Sequence, residues 1–159
     1  IGKTDGHIDQ SLFARTILDE KNGPPPEVNL FNEKNNGECL LSLIEKGYIK
    51  SAHDVSLGGL LTAVSKMCIK GNKGIKLEKT KKLMSDCEYF FSEDQSRYII
   101  EIDQKDLKEV SKILNKNSVH HEKLGIIVDK DMIINEKTKV TIDELKSYNT
   151  SWLINYMSS

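Results

Sequence analysis

Apolar residues recur along this chain with two alternating periods, one helical and one extended. Leu12, Phe13, Thr16 and Ile17 predict a helix from Ser11 that ends near Asn22-Gly23. Pro24-Pro25-Pro26 then imposes an extended crossing, read as a rigid connector. A second helix is predicted from near Asn29 to Lys46, burying Leu40, Leu41, Leu43 and Ile44 and stopping at Gly47. Asn35-Asn36-Gly37 weakens its middle, which leaves a later start open. The stretch from Ser51 to Leu60 joins a short extended run to a helix with Leu60, Leu61, Val64, Met67 and Cys68 at helical spacing, closed by Lys70-Gly71. Ile75 and Leu77 alternate as in a strand, and Lys79 to Lys82 reads as a solvated edge. The aromatic run Tyr89-Phe90-Phe91 leads into a polar turn, read as having strands on both sides. Tyr98, Ile100 and Ile102 share one face of the strand that follows. Asp103 is placed to cap a helix from Lys105 to Asn117 with Leu107, Val110, Ile113 and Leu114 inward. Leu124 to Val128 and Met132 to Ile134 flank Asp129-Lys130-Asp131 as a hairpin. Thr141 and Glu144 form a capping-box pattern for a last helix carrying Leu145, Trp152, Leu153 and Tyr156. The fold class this predicts is α+β, with helices packed on a largely antiparallel sheet.

Composition narrows the function classes. A chain of 159 residues, 38% hydrophobic, fits one compact domain. Twenty-three basic residues against 24 acidic ones, spread along the chain for a formal charge of -1, leave no electrostatic footprint for nucleic acid or an anionic membrane. No apolar run approaches a membrane span and no signal peptide opens the chain, so a soluble, cytoplasmic protein is expected. Cys39, Cys68 and Cys87 are odd in number and widely spaced, which suits reduced thiols rather than disulfides or zinc. The chain opens on Ile1-Gly2-Lys3-Thr4 without an initiator Met and is read as a fragment of something longer. Only Arg15 and Arg97 among the basic residues are arginine. In so lysine-rich a chain a retained Arg points to a site needing a planar fork, or to one that braces a carboxylate.

Two segments carry candidate chemistry. Gly58 and Gly59, with Ser56 before them, open a helix where exposed N–H groups and the helix dipole attract phosphate. Asp54 stands just before that opening, where a carboxylate beside a bound phosphate calls for an intervening hard cation, naturally Mg²⁺ on a nucleotide. The alternative is a tight turn in which Asp54 and Ser56 only cap the helix. In the second segment Glu93, Gln95 and Arg97 are expected to face a shared cleft from a strand mouth, or else to form a charged tip in which Arg97 pairs with Glu93. His7 stands alone in a loop, and His120-His121 lacks a third metal ligand. No nucleophile and base stand out as a pair.

Five segments, in order, resemble one family: Thr4-Asp5-Gly6-His7-Ile8-Asp9-Gln10-Ser11-Leu12-Phe13, Gly23-Pro24-Pro25-Pro26-Glu27-Val28-Asn29-Leu30, the Ser51 to Leu60 stretch, Phe91-Ser92-Glu93-Asp94-Gln95-Ser96-Arg97, and Trp152-Leu153-Ile154-Asn155-Tyr156-Met157. The family is the synthetase component of phosphoribosylformylglycinamidine synthase, an ATP-dependent, glutamine-supplied amidine-forming ligase of purine synthesis. The resemblance implies the C-terminal half of an AIR-synthetase-like unit, a three-layer α/β/α domain over residues 11–159, with residues 1–10 as the tail of a preceding half-unit or linker. The Ala52-His53-Asp54-Val55-Ser56 spelling is similar to the second of two tandem units, whose nucleotide is implied to be structural. It also implies ATP and Mg²⁺ as cofactors, Asp54 as a metal ligand, and Ser56, Gly58 and Gly59 at the nucleotide phosphates. Glu93, Asp94, Gln95 and Arg97 are implied to line a substrate-like pocket, with no certain catalytic residue. The implied partners are the N-terminal half-units of the same polypeptide, a glutaminase subunit and a small accessory subunit. Leu57 stands where an acidic residue is common in the family, so no second metal ligand carries over, and Asp94 replaces the usual Ser. Two other readings are a structural or assembly domain with a vestigial pocket and another AIR-synthetase-superfamily enzyme, the latter disfavoured by the Phe91 to Arg97 segment. Arg97 itself is expected to orient its turn through a bidentate bond to Glu93.

Overall fold

Asn29 starts the first long helix by accepting a hydrogen bond from the Asn32 N–H, in a computed structural model that describes residues 1–80 and 83–158. Lys81 and Lys82, in the expected solvated edge, lie outside the described residues. The chain divides into two compact units, Ile1–Ala63 with Lys81–Glu122, and Val64–Thr80 with Lys123–Ser159. The expected α+β class is observed, with its strands in two sheets.

The first unit is built on helix α1 (Leu30–Glu45) and strands β1 (Ile49–Asp54) and β3 (Tyr98–Ile102), which pair antiparallel with a register shift between Ile49 and Ser51. The start of helix α2 (Gly59–Gly71), helix α3 (Asp86–Phe91) and helix α4 (Leu107–Lys116) complete it. Its core joins Cys39 and Leu43 of α1 to Val110 and Leu114 of α4 and to Val119, with Ile49, Ile100 and Ile102 of the sheet packed against them. Burying a leucine of this kind stabilises by about 1.5–3 kcal/mol. The expected inner stripe of α1 is half right. Leu40 and Leu43 are buried, but Leu41 and Ile44 are 60% and 45% exposed, and Asn36 and Cys39 take the inward positions. The buried set 36, 39, 40 and 43 follows one helical stripe; beyond its Leu40 edge Leu41 lies a rotation of about 100° and Ile44 one of about 40°.

The helix expected from Ser11 to Asn22-Gly23 is a short turn with a π-helical segment, Ala14–Leu18, ended by Asp19 in the left-handed region (φ 54°). Ala14 is buried while Leu12 and Ile17 are exposed. The aromatic run is helical, not extended: Ser85 and Glu88 form a reciprocal capping box at the start of α3, and Tyr89 and Phe90 are buried. Phe91 stacks on Phe13 with ring centroids 4.7 Å apart. The cap outweighs the strand preference of three consecutive aromatics.

The second unit holds a four-stranded sheet ordered β4 (Gly125–Val128), β2 (Gly74–Leu77), β5 (Asp131–Ile134), β6 (Thr138–Thr141). The expected β4–β5 hairpin does not form, because β2 lies between the two strands, antiparallel to β4 and parallel to β5. Gly74 permits this insertion: a Cβ there would stand 2.2 Å from the Asp131 carbonyl oxygen. The hairpin is instead β5–β6, turned by Asn135 and Glu136 at φ 51° and 57°, as a type I′ turn requires. Strand β6 went unread because its residues carry little apolar alternation. The Thr141–Glu144 capping box forms as expected and starts helix α5 (Ile142–Met157). Ile142 is buried, whereas Trp152 and Tyr156 remain largely exposed. No helix among the described residues is long and apolar enough to cross a membrane.

Candidate functional site

Strand β1 ends at Asp54, and the chain then turns through Val55 to Gly58 into α2. The Val55 N–H donates to the Arg97 carbonyl at 2.9 Å, and the Gly59 N–H donates to the Ser56 carbonyl at 2.9 Å. Gly58 and Gly59 adopt φ 83° and 68°, the region the adjacent glycines are expected to supply. A Cβ at Gly59 would stand 2.6 Å from the Phe91 carbonyl carbon and from the Ser92 oxygen, so the turn lies directly against the segment after α3. Ser56 and Leu57 face outward.

Glu93 joins the two informative segments. Its Oε1 accepts from the Gly58 N–H at 2.8 Å and from the Leu12 N–H at 2.7 Å. A carboxylate at the opening of α2 also suits the helix dipole. Asp94 is buried, and its carboxylate accepts from three successive N–H groups: Asp5 and Gly6 through Oδ2 at 3.0 and 3.1 Å, and His7 through Oδ1 at 3.1 Å. Gln95 is exposed, its amide directed at the Glu93 carbonyl at 3.4 Å.

Arg97 is 4% exposed. Its Nε donates to the Asp94 carbonyl at 3.2 Å, its Nη1 to Thr4 Oγ1 at 3.2 Å, and its Nη2 to the Ser92 carbonyl. The carboxylate nearest to it is Asp94, with Nη1 3.9 Å from Oδ2. The expected bidentate partner, Glu93, is therefore replaced: the fork orients the turn through two backbone carbonyls and the Thr4 hydroxyl, while Glu93 is engaged by Gly58 and Leu12. Burial lowers the Arg97 pKa from its ordinary value, opposed chiefly by Asp94. Beside this network Ser92 Oγ is buried with no hydrogen-bond partner among the described residues.

Asp54 pairs across the sheet with Tyr98, and its side chain is 64% exposed. His53 Nδ1 lies 3.4 Å from Asp54 Oδ1. Tyr98 donates to Glu33 Oε1 at 3.3 Å, and Ser96 Oγ donates to Glu33 Oε2. Burial raises the Tyr98 pKa, with Glu33 adding to the effect. No three His, Cys, Asp or Glu residues among those described are grouped to hold a metal. Asp54 thus fits as a single carboxylate completing the shell of a cation carried by phosphates, the usual situation of Mg²⁺, and does not fit an all-protein metal cage.

The structure brings Glu93 together with Gly58, and Asp94 with Arg97. Ser56, Gln95 and Asp54 face outward. The part that sequence reasoning missed is the Thr4 to His7 segment, which is held by Asp94 and Arg97 across roughly ninety residues of chain. The sequence places His7 in a loop but names no partner for that segment.

Residues 6–135 match the family described as AIR synthase related protein, C-terminal domain. The chain is 63% identical over its whole length to the phosphoribosylformylglycinamidine synthase subunit PurL of Pelagibacter ubique, and 33% identical over 99% of its length to that of Bartonella quintana. It spans 22% and 21% of those proteins, about a fifth of their length. Among solved structures it is similar to Thermotoga maritima PurL complexed with FGAR, with a TM-score of 0.72 at 22% identity over 84% of this chain and 24% of that one. The corresponding ATP complex gives a TM-score of 0.62 at 21% identity over 70% of this chain and 21% of that one. The Thermotoga maritima PurLQS structure gives 0.66 at 22% identity over 83% and 24%. At these identities the structural likeness carries the fold alone. With most of its residues matched and the fold shared, this chain belongs to the AIR synthase related protein family, as its C-terminal domain.

Proposed function

We propose that this chain is the C-terminal half of an AIR-synthetase-like unit, the second of two in tandem, within a phosphoribosylformylglycinamidine synthase. The observation that carries this reading is the 63% identity maintained over all 159 residues with the Pelagibacter ubique subunit. The complete enzyme converts formylglycinamide ribonucleotide to the amidine. The substrate amide oxygen takes the γ-phosphoryl group of ATP, and glutamine-derived ammonia then displaces phosphate. Such chemistry needs neutralised phosphates and oriented donors more than a protein nucleophile.

In this reading residues 11–159 form the domain and residues 1–10 lead into it, held down by Asp94 and Arg97. Ser56, Gly58 and Gly59 face the phosphates of a nucleotide, and Asp54 ligates its Mg²⁺, which when bound neutralises phosphate charge. Glu93, Asp94, Gln95 and Arg97 form the floor and wall of a substrate-like pocket, Gln95 supplying the outward amide and the other three fixing the loop's shape. The partners are the other half-units of the polypeptide, the glutaminase subunit and the small accessory subunit. The test is ATP- and glutamine-dependent consumption of formylglycinamide ribonucleotide by the full-length protein with its glutaminase. Activity there, and none from the 159-residue chain alone, is expected; a full-length protein that forms no amidine refutes the assignment.

A second reading, a structural domain with a vestigial pocket, is favoured by one observation. The acidic side chains of the 92–97 loop are bonded to backbone N–H groups of their own chain. Mass spectrometry of the native full-length protein separates the two: one retained nucleotide assigned to this unit supports the first, and its absence the second.

A further inference from the structure

A Gly-Gly turn does not hold its own shape, because glycine has the widest backbone freedom of any residue. Beyond the one bond within it, from the Gly59 N–H to the Ser56 carbonyl, the shape of the 55–59 turn is imposed from the 91–97 segment. The Val55 N–H is held by the Arg97 carbonyl, Gly59 rests on the Phe91–Ser92 backbone, and the Gly58 N–H is held by Glu93 Oε1. Of these restraints only Glu93 acts through a side chain, and the same oxygen also holds the Leu12 N–H. Oε2 accepts no bond among the described residues, so the second oxygen has no part in the restraint.

We propose that Glu93 is the positioning residue of the Gly58-Gly59 turn: one carboxylate oxygen locks Gly58 to Leu12 and so presets the opening of α2 for a nucleotide phosphate. The proposal rests on the nucleotide reading above and assigns Glu93 an inward role there, through the turn and not through contact with ligand. Preset donors bind an anion better than mobile ones because less ordering accompanies binding.

What matters on this account is an acceptor oxygen at the right reach, not its charge. Glu93→Gln keeps the oxygen and places its NH₂ where no partner is displaced. Glu93→Asp keeps the charge and withdraws the oxygen by about one C–C bond, ~1.5 Å. Glu93→Ala removes both. The test uses the full-length protein, Mg-ADP as probe, and hydrogen-exchange mass spectrometry of peptides covering residues 57–62, which reports this turn and no other nucleotide site. The Mg-ADP concentration giving half-protection is expected to rise about tenfold in Glu93→Asp and Glu93→Ala and to stay within about twofold in Glu93→Gln, a tenfold change being one decade of Kd. Exchange at Leu12 and Gly58 without ligand is expected to speed up in the same two variants only. If Glu93→Ala does not fold, the Asp and Gln variants carry the comparison. Equal half-protection in all three variants overturns the proposal, as does tighter binding in Glu93→Ala, which marks the carboxylate as a competitor of phosphate. Loss in Glu93→Gln equal to that in Glu93→Asp overturns it too, since charge is then what counts. Absence of protection in the wild type removes the nucleotide reading and the proposal with it, a failure distinct from protection that ignores residue 93.

Discussion

Arg97→Lys is a severe substitution on the geometry of this loop, although it preserves charge. The guanidinium serves three acceptors in different directions, the Asp94 and Ser92 carbonyls and Thr4 Oγ1, at a site 4% exposed. A lysine ammonium is a single centre on a flexible stem and reaches at most one or two of them, leaving buried oxygens unpaired. Each such loss costs about 1–3 kcal/mol, so Arg97→Lys is expected to destabilise by about 2–4 kcal/mol. Arg97→Ala also strips the buried Asp94 carboxylate of its nearest cation, 3.9 Å away, and is expected to cost about 3–5 kcal/mol. The three N–H groups on Asp94 keep that figure from rising further. The only tryptophan, Trp152, lies in the other unit, so its fluorescence does not report this loop. Cys39 does, since it is buried in the core of the same unit. The assay is the rate of Cys39 labelling against urea, in the 159-residue chain carrying Cys87→Ser. The urea midpoint for Cys39 is expected to fall in both variants by comparable amounts. If Arg97→Lys stays within about 0.5 kcal/mol of the parent, the spread of an ordinary surface substitution, the three-acceptor argument is refuted.

Three other outcomes are expected. Asp54→Ala and Asp54→Asn in the full-length protein lower the nucleotide retained through purification, quantified after denaturation, because a hard cation loses a carboxylate; equal amounts leave Asp54 with no metal role. Gly59→Ala, which forces a Cβ to 2.6 Å from the Phe91–Ser92 backbone at a φ of 68°, lowers the thermal midpoint and loosens proteolytic resistance around residues 91–97; an unchanged midpoint contradicts the close approach. Burial pushes the Cys68 thiol up to about 11, so the folded chain resists ionisation that the unfolded chain undergoes near its ordinary value of 9. The contribution of that thiol is therefore complete below pH 9 and declines as pH rises from 9 towards 11, by up to about 1.4 kcal/mol per unit. Urea midpoints of the parent and Cys68→Ala across that range measure it, and parallel curves refute it.

Local chemistry was legible at several places where a few neighbouring residues settle the outcome, though not at the Ser85–Glu88 cap that makes α3 helical. Asn29 and Gly47 bound α1, Thr141 and Glu144 start α5, and the alternation of Tyr98, Ile100 and Ile102 marks β3, because caps and periodicity act within one or two turns of chain. The positive φ of Gly58 and Gly59 was readable for the same reason. Beyond the α3 cap, the short Ala14–Leu18 turn and β6, three further features were not readable, and each of these three depends on residues far apart in sequence. β2 enters between β4 and β5 because Gly74 lets its backbone meet Asp131, a contact that no pattern within either segment encodes. The inner face of α1 turned on where α4 and the sheet lie, which set Asn36 and Cys39 inward in place of Leu41 and Ile44. The roles of Glu93, Asp94 and Arg97 were exchanged among neighbours. All three were visible as a polar turn with a rare arginine, but which carboxylate faces the fork depends on N–H groups from residues 5–7, 12 and 58. A charged side chain chooses its partner by proximity after folding, and backbone donors brought from elsewhere in the chain outcompete a neighbour four residues away.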